Sequence, residues 1–556
     1  MDIPTSQRAV QLIGPDQLVL NTSKDVFQPG PHQILARIEV VGLCFSDLKL
    51  LKQFTGHVRK GPVVEGLDPA ILEEIPSYVP NDAPTVPGHE TVVRIVKVGP
   101  EVKAHRPGER YLVQTDYRWL HTASSNAAFG YNFEGALQEY VLMDERVITA
   151  PDGESMLIPA GEEFSGSAIA LAEPWACVED AYVSPERTKI RADGKALLVN
   201  DAGVGGDALV NLFAQYGEPK AIYPKSVDVD ELAESVIPRI EREAIATLPD
   251  EGFDDIIYFG SDPDVVEALF PKLAARGLLN IVLCGQTLGR DITLPVGRTH
   301  YGGIRIVGTT GSDPAESMQH IPATGEIRLG DKINIVGAGG PMGMMHVVRN
   351  ICQGVEDVRV YAGDVDDARL AMLSKIAQPM ADKLGVAYHP YNAKTDTIDV
   401  AFDYIAIMAP VPPLVAAAVK QAGPNGIINI FAGIPATVSG QIDLDTYIEK
   451  RLYFVATSGS TLDDMKRMLE KVENGQLDTN VSVAAISGIE GAIDGIRAVE
   501  NRAVAGKIVV YPACKGLELI RLEELAEKMP EVAACLTDGL WTTEAEKKLL
   551  ETRATG

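Results

Sequence analysis

Cysteine is scarce and dispersed in this chain. Cys44, Cys177, Cys284, Cys352, Cys514 and Cys535 form no C-x-x-C pair and no dense framework. That usage fits reduced thiols in a cytoplasm, not a disulfide scaffold. No cysteine falls between Cys44 and Cys177, which excludes a four-cysteine structural zinc lobe there and leaves one metal per chain as the expectation. Long apolar runs are missing as well. No stretch approaches the roughly 20 residues of a membrane helix, and the opening residues Met1 to Arg8 show no signal-like apolar segment. Positive charge is in deficit: 50 Lys and Arg face 77 Asp and Glu, a net charge of -27. Neither nucleic acid nor an anionic membrane suits such a chain as partner.

Size and apolar content are ample by contrast. A length of 556 residues suggests roughly three or four domains. Hydrophobic residues make up 46% and the mean hydropathy is +0.03, as in soluble globular proteins. The first ~175 residues read as β-rich, with apolar or alternating runs such as Gln33-Ile34-Leu35-Ala36-Arg37-Ile38-Glu39-Val40-Val41 between Pro and Gly turns. Residues 52–87, dense in Pro, Gly and acids, look like a long surface insertion. From about Lys195, apolar strands alternate with amphipathic helices, the pattern of a parallel α/β sheet.

The α/β region repeats itself. Phe253-Asp254-Asp255-Ile256-Ile257 returns as Phe402-Asp403-Tyr404-Ile405-Ala406, and Gly277-Leu278-Leu279-Asn280-Ile281 as Gly426-Ile427-Ile428-Asn429-Ile430. Gly308-Thr309-Thr310-Gly311-Ser312 returns as Ala456-Thr457-Ser458-Gly459-Ser460. Order and near-constant offset point to a duplication. Beyond it, helices are expected near Gly488–Ile496 and Leu522–Lys528, with a strand at Gly506–Tyr511.

The second repeat opens on the strand Lys332-Ile333-Asn334-Ile335-Val336, which runs into Gly337-Ala338-Gly339-Gly340-Pro341-Met342-Gly343 and then a helix. Such a turn lets backbone approach a dinucleotide pyrophosphate, and a helix N-terminus offers it free N–H groups. Asp364 ends the next strand about 20 residues on, where an acid would take the adenosine ribose hydroxyls and repel a 2′-phosphate. Gly337, Gly339, Gly340, Met342, Gly343 and Asp364 are therefore the expected NAD contacts, with NADP less favoured. The first repeat has Gly203-Val204-Gly205-Gly206-Asp207-Ala208, but Asp201 and Asp207 oppose a pyrophosphate and its second strand ends without an acid. It reads as a cofactor-free Rossmann-like domain; the rival reading puts a 2′-phosphate on Lys225.

Three short motifs carry metal chemistry. Gly42-Leu43-Cys44-Phe45-Ser46-Asp47 supplies a thiolate, Pro87-Gly88-His89-Glu90 an imidazole and a carboxylate, and Ala172-Glu173-Pro174 a second carboxylate. Sulfur, nitrogen and oxygen donors of this kind suit zinc with an open position. Cys44 and His89 are the expected ligands, joined by Glu90 or Glu173, or both in turn. Zinc lowers the pKa of a bound hydroxyl, hydride passes to the nicotinamide, and Ser46 is placed to carry the proton outward. Where a further histidine would extend that relay there is Lys49.

Together with Glu134-Gly135-Ala136-Leu137-Gln138-Glu139-Tyr140-Val141 and Gly506-Lys507-Ile508-Val509, these motifs resemble the medium-chain zinc-dependent dehydrogenase/reductase superfamily. The glutamate followed by proline is similar to the sorbitol and L-threonine dehydrogenase branch. The Gly337–Gly343 turn and helical tail resemble L-sorbose-1-phosphate reductase-like proteins. The resemblance implies an α/β protein with a GroES-like β domain at residues 1–190, completed by about 477–515. Tandem Rossmann-like doubly wound domains follow at 191–325 and 326–476, then a helical extension at 516–556. It also implies a zinc- and NAD-dependent oxidoreductase for a polyol, sugar or sugar phosphate, in a cytoplasmic homodimer or tetramer. The first repeat would then occupy, within one chain, the place of a neighbour's domain. The rival readings are an NAD-retaining epimerase or lyase working through transient oxidation, and a non-catalytic nucleotide sensor.

Overall fold

The computed structural model describes residues 3–224, 242–457 and 459–554, so Lys225 and Ser458 lie outside the described residues. The chain falls into two compact units, Met1–Cys177 with Ser460–Gly556, and Val178–Gly459. These limits differ from the expected 190/191 and 476/477, because the first boundary falls inside the helix Ala172–Val183. Among the described residues no helix is long and apolar enough to cross a membrane.

The first unit is organised by an eight-stranded sheet. Its order is Ile520–Arg521, Val483–Ser487, Lys507–Val510, Gln33–Gly42, Glu90–Val98, Arg110–Val113 and Leu157–Pro159, with Tyr140–Asp144 paired to Gln33–Gly42 off that path. Gln33–Gly42 holds its place by burying Ile34, Leu35, Ala36, Ile38, Val40 and Val41. It runs antiparallel to Glu90–Val98 with Gly42 opposite Glu90, and to Lys507–Val510 with Gly42 opposite Val509. Cys44, His89 and Lys507 are thereby delivered to one end of three adjacent strands.

Residues 52–87 are less of a surface insertion than their composition implies. Phe54, Leu72, Ile75 and Val86 are buried. Backbone hydrogen bonds tie the segment down at Val64 N to His121 O (2.8 Å), Val79 N to Asn132 O (2.7 Å) and Thr85 N to Leu12 O (3.0 Å). Polar and proline-rich composition hid these anchors, since buried backbone groups must pair whatever the side chains are.

The tail is likewise integrated and does not form a separate extension. It contains the expected helix at Leu525–Lys528 and adds Pro530–Ala533 and Thr543–Arg553. Trp541 is buried and donates to Ser167 Oγ at 3.2 Å. Glu546 is buried too; its carboxylate accepts from Gly166 N, from Ser167 N at 2.8 Å and from the Tyr511 hydroxyl at 3.0 Å. It thus satisfies two of the free N–H groups at the start of the helix Gly166–Ala170.

The second unit carries two parallel sheets. One is ordered Ala387–Asn392, Arg359–Asp364, Lys332–Val336, Phe402–Ile407, Ala422–Asn429 and Tyr453–Val455. Chain order in that sheet is 3-2-1-4-5-6, the doubly wound arrangement with a switch point beside the first strand. The other, among the described residues, is ordered Ala221–Tyr223, Lys195–Asn200, Phe253–Phe259, Leu273–Val282 and Arg305–Thr309. The two repeats meet through an antiparallel pair in which Ile292, Thr293 and Leu294 oppose Ile442, Gln441 and Gly440. Leu294, Val296, Ile442, Leu444 and Tyr447 belong to one continuous core that includes both sheets.

Removing the carboxylate in Glu546→Ala is expected to cost about 1–3 kcal/mol, since two helix-end donors and a buried hydroxyl lose their acceptor. Denaturant unfolding of the full chain checks this; an unchanged midpoint would show that the tail does not stabilise the first unit.

Candidate functional site

The strand register explains how the thiol, imidazole and carboxylate motifs converge. Past Gly42 the chain turns at Cys44, the N-cap of the helix Phe45–Gln53. Asp47 in the first turn of that helix accepts from Cys44 N at 3.1 Å through Oδ2, and from His89 Nδ1 at 3.1 Å through Oδ1. This second contact orients the ring and leaves Nε2 as the outward atom, the usual support for a ligating histidine. Burial opposes charge on His89, but Asp47 outweighs it and holds the imidazole well above its ordinary value. Ser46 Oγ lies 3.0 Å from Cys44 Sγ and 3.1 Å from His89 Nε2.

Glu90 is buried directly across from Gly42. One oxygen, Oε1, accepts from Lys507 Nζ at 2.5 Å. The other, Oε2, is buried with no hydrogen-bond partner among the described residues. A side chain at position 42 would place its Cβ 2.3 Å from that oxygen, so only glycine admits the carboxylate. The Cys44, His89 and Glu90 ligand atoms all lie within 4.8 Å of one another. A thiol, an imidazole and an orphaned carboxylate oxygen form a donor set that fits zinc.

Glu173, the other expected ligand, stands outside that set. It comes from the first turn of the helix Ala172–Val183, whose position strand register does not dictate. It nevertheless belongs to the same buried charge group. Burial pushes its carboxyl up to about 7, reinforced by Glu90 and Asp47 and opposed by His89 and Lys507.

Two residues here escaped sequence reasoning. Lys507 sits in a quoted motif, but nothing local shows that its ammonium reaches Glu90. Glu90 and Cys44 overcome burial to push it up to about 12. The Tyr131 ring lies 5.8 Å from that of His89, and burial raises its hydroxyl pKa. Its setting, Phe129-Gly130-Tyr131-Asn132-Phe133, has no spacing that marks chemistry.

In the second unit the glycine-rich turn is crowded. Gly337 has φ +88°, a left-handed conformation that glycine adopts freely. A Cβ on Gly343 would sit 2.2 Å from Gly337 O, which fixes the close approach of strand and helix. Gly340 caps the helix Pro341–Cys352, and Met342 lies half-buried in its first turn. Asp364 reaches back to the turn, its Oδ2 accepting from Gly339 N at 2.8 Å. The matching turn of the first repeat is open: nothing lies within 4 Å of a Cβ on Gly203 or Gly205. There Asp201 instead accepts from the Tyr258 hydroxyl at 3.0 Å.

Comparison with known proteins bears on the first unit at the level of its fold. The alcohol dehydrogenase GroES-like domain family matches residues 30–152, a span that contains Cys44, His89 and Glu90. An uncharacterized Escherichia coli protein, YggP, is 28% identical over 245 residues; the match covers 40% of this chain and 57% of that protein. An alcohol dehydrogenase of Rhizobium meliloti is 27% identical over 321 residues, covering 52% of this chain and 81% of the relative. The L-sorbose 1-phosphate reductase of Klebsiella pneumoniae is 27% identical over 225 residues, covering 39% and 54%. The chain thus spans little more than half the length of the first and third of these. Residues 30–152 carry a GroES-like domain of the alcohol dehydrogenase kind, the described chain adds parallel α/β sheets, and these likenesses support the medium-chain dehydrogenase/reductase superfamily.

The raised Glu173 carboxyl has a signed consequence for metal-free protein. A glutamate held near 7 in the fold costs no stability below its unfolded value near 4.5, and an increasing amount as pH rises from there through 7. Glu173→Gln is therefore expected to stabilise chelator-treated protein at pH 8 by on the order of 1–3 kcal/mol, and to leave it unchanged near pH 4.5. Paired unfolding curves at the two pH values decide; equal curves at pH 8 contradict it.

Proposed function

We propose that the protein is a zinc- and NAD-dependent oxidoreductase acting on the secondary alcohol or ketone of a polyol, sugar or sugar phosphate. The observation that carries this reading is the Cys44–His89–Glu90 set, with a buried, unpartnered Glu90 oxygen facing a glycine. The relatives named for alcohol and sorbose phosphate chemistry support the substrate class.

Bound zinc supplies Lewis acidity toward a carbinol or carbonyl oxygen, and NAD the two-electron carrier. The chain's own residues do the rest. Asp47 fixes the His89 tautomer, and Lys507 balances the charge of Glu90 so that a carboxylate is tolerated in a buried place. Glu90 is the first-choice third ligand, and Glu173 the second carboxylate able to exchange with it. Ser46 Oγ, 3.1 Å from His89 Nε2, holds the substrate hydroxyl proton, and Tyr131, whose ring stands 5.8 Å from that of His89, is a nearby hydroxyl. In the nucleotide domain the glycine-rich turn takes the pyrophosphate at the helix N-terminus, and Asp364 takes the ribose hydroxyls.

Metal analysis of purified protein is expected to find about one zinc per chain, with Cys44→Ser or Glu90→Gln weakening its retention by roughly tenfold or more. NADH formation on a polyol panel should stop on chelation and return with zinc. Activity indifferent to chelator, in protein free of metal, would end the proposal.

Asp364→Ala is expected to raise the KM for NAD about tenfold, while that for NADP changes less or falls, because an acceptor for the ribose hydroxyls and a charge opposed to a 2′-phosphate both disappear. Equal shifts for the two nucleotides would show that Asp364 only braces the Gly339 turn.

A further inference from the structure

Residues 48–64 contain no acid, in a chain whose 77 acids among 556 residues amount to about one in seven. The same stretch holds Lys49, Lys52, His57, Arg59 and Lys60. Two of these cations are committed elsewhere. Lys52 Nζ pairs with Asp16 at 2.7 Å and Glu500 at 2.5 Å. Lys60 is buried and donates to Val79 O and Ala83 O.

Of the remaining three groups, two stand beside Tyr131, and the third, Lys49, acts electrostatically on one of them, His57. The Arg59 guanidinium stands 5.8 Å from the centre of the Tyr131 ring, and the His57 ring is 5.0 Å away. Arg59 has an ion pair with Asp116, but at 3.5 Å it is long and uses one nitrogen of the fork. Arg59 N donates to His57 Nδ1 at 3.2 Å, which places the ring proton on Nε2. Arg59 and Lys49, after burial itself, push His57 down to about 4, so near neutral pH it is an uncharged N–H donor. Lys49 is exposed and stands three residues after Ser46 on the helix Phe45–Gln53, on the face that carries the Ser46 hydroxyl toward Cys44 and His89. Tyr131 thus has the His89 ring at 5.8 Å, the His57 ring at 5.0 Å and the Arg59 guanidinium at 5.8 Å.

We propose that Lys49, Arg59 and His57 anchor the phosphate of a phosphorylated polyol whose reacting carbon lies at the Cys44–His89–Glu90 centre. A phosphomonoester offers two negative charges and three acceptor oxygens. They match one point charge, one planar fork and one neutral donor. The strong negative charge of the rest of the chain makes a basic patch with one acid, Asp116, at its edge a favoured landing place for an anion. The assignment rests on the oxidoreductase reading above and narrows its substrate to phosphate esters.

Two measurements on the full chain separate the anchor from that reading. Calorimetric titration with inorganic phosphate is expected to show binding that Arg59→Gln and Lys49→Gln each weaken about tenfold, with melting temperatures unchanged. Steady-state kinetics on hexitols and their phosphate esters is expected to show a KM for the ester that rises about tenfold to a hundredfold in Arg59→Gln. Values for the unphosphorylated hexitol should stay within about twofold, since it makes no contact with the anchor. Phosphate binding lost in the variants, without turnover of any polyol, upholds the anchor and ends the oxidoreductase reading. Turnover with equal KM for hexitol and ester, and no phosphate binding, overturns the anchor alone. A sugar acid preferred over the ester would overturn the phosphate assignment.

Discussion

The antiparallel register that sets Gly42 against Glu90 is the constraint on which the Cys44–His89–Glu90 cluster depends. Side chains alternate along a strand, so a slip of one residue would turn Glu90 to the opposite face and carry His89 with it. The neighbouring strand contributes through the same register: with Val509 across from Gly42, the ammonium of Lys507 comes level with the turn that holds Cys44. Buried Glu90 is tolerable because that ammonium meets one of its oxygens. The second oxygen has no hydrogen-bond partner among the described residues.

The duplicated region shows what one scaffold retains when its two copies diverge. Both copies keep parallel strands, a glycine-bearing turn and a buried asparagine at matching places, Asn280 and Asn429. Only the second keeps the turn crowded, with Gly343 pressed on Gly337 and Asp364 tied to Gly339. In the first, the acid before the turn is engaged by Tyr258. The difference lies in a few contacts at the strand ends, not in the sheet.

Much of this was legible in the chain itself because the signals were local. A thiol after an apolar strand, an imidazole after Pro-Gly, and glycines between a strand and a helix all declare themselves within about ten residues. The parallel sheets and the duplication could be read for the same reason. What stayed hidden depends on contacts far apart in sequence. Lys507 is 417 residues from Glu90, and Glu546 is 379 from Ser167. No periodicity encodes such pairings. Tyr131 was hidden differently: an aromatic in a glycine-rich loop has too many ordinary uses to stand out. The anchoring of residues 52–87 was missed because it runs through backbone groups, which composition does not report.

The antiparallel pair joining Ile292–Leu294 to Gly440–Ile442 has one more effect. Where identical subunits associate, every inherited change appears on both sides of the contact, and a change harmful on either side is lost. Here the two faces are encoded separately. Each is free to drift while its counterpart stays constant, so either face can be reshaped without a matching change in the other.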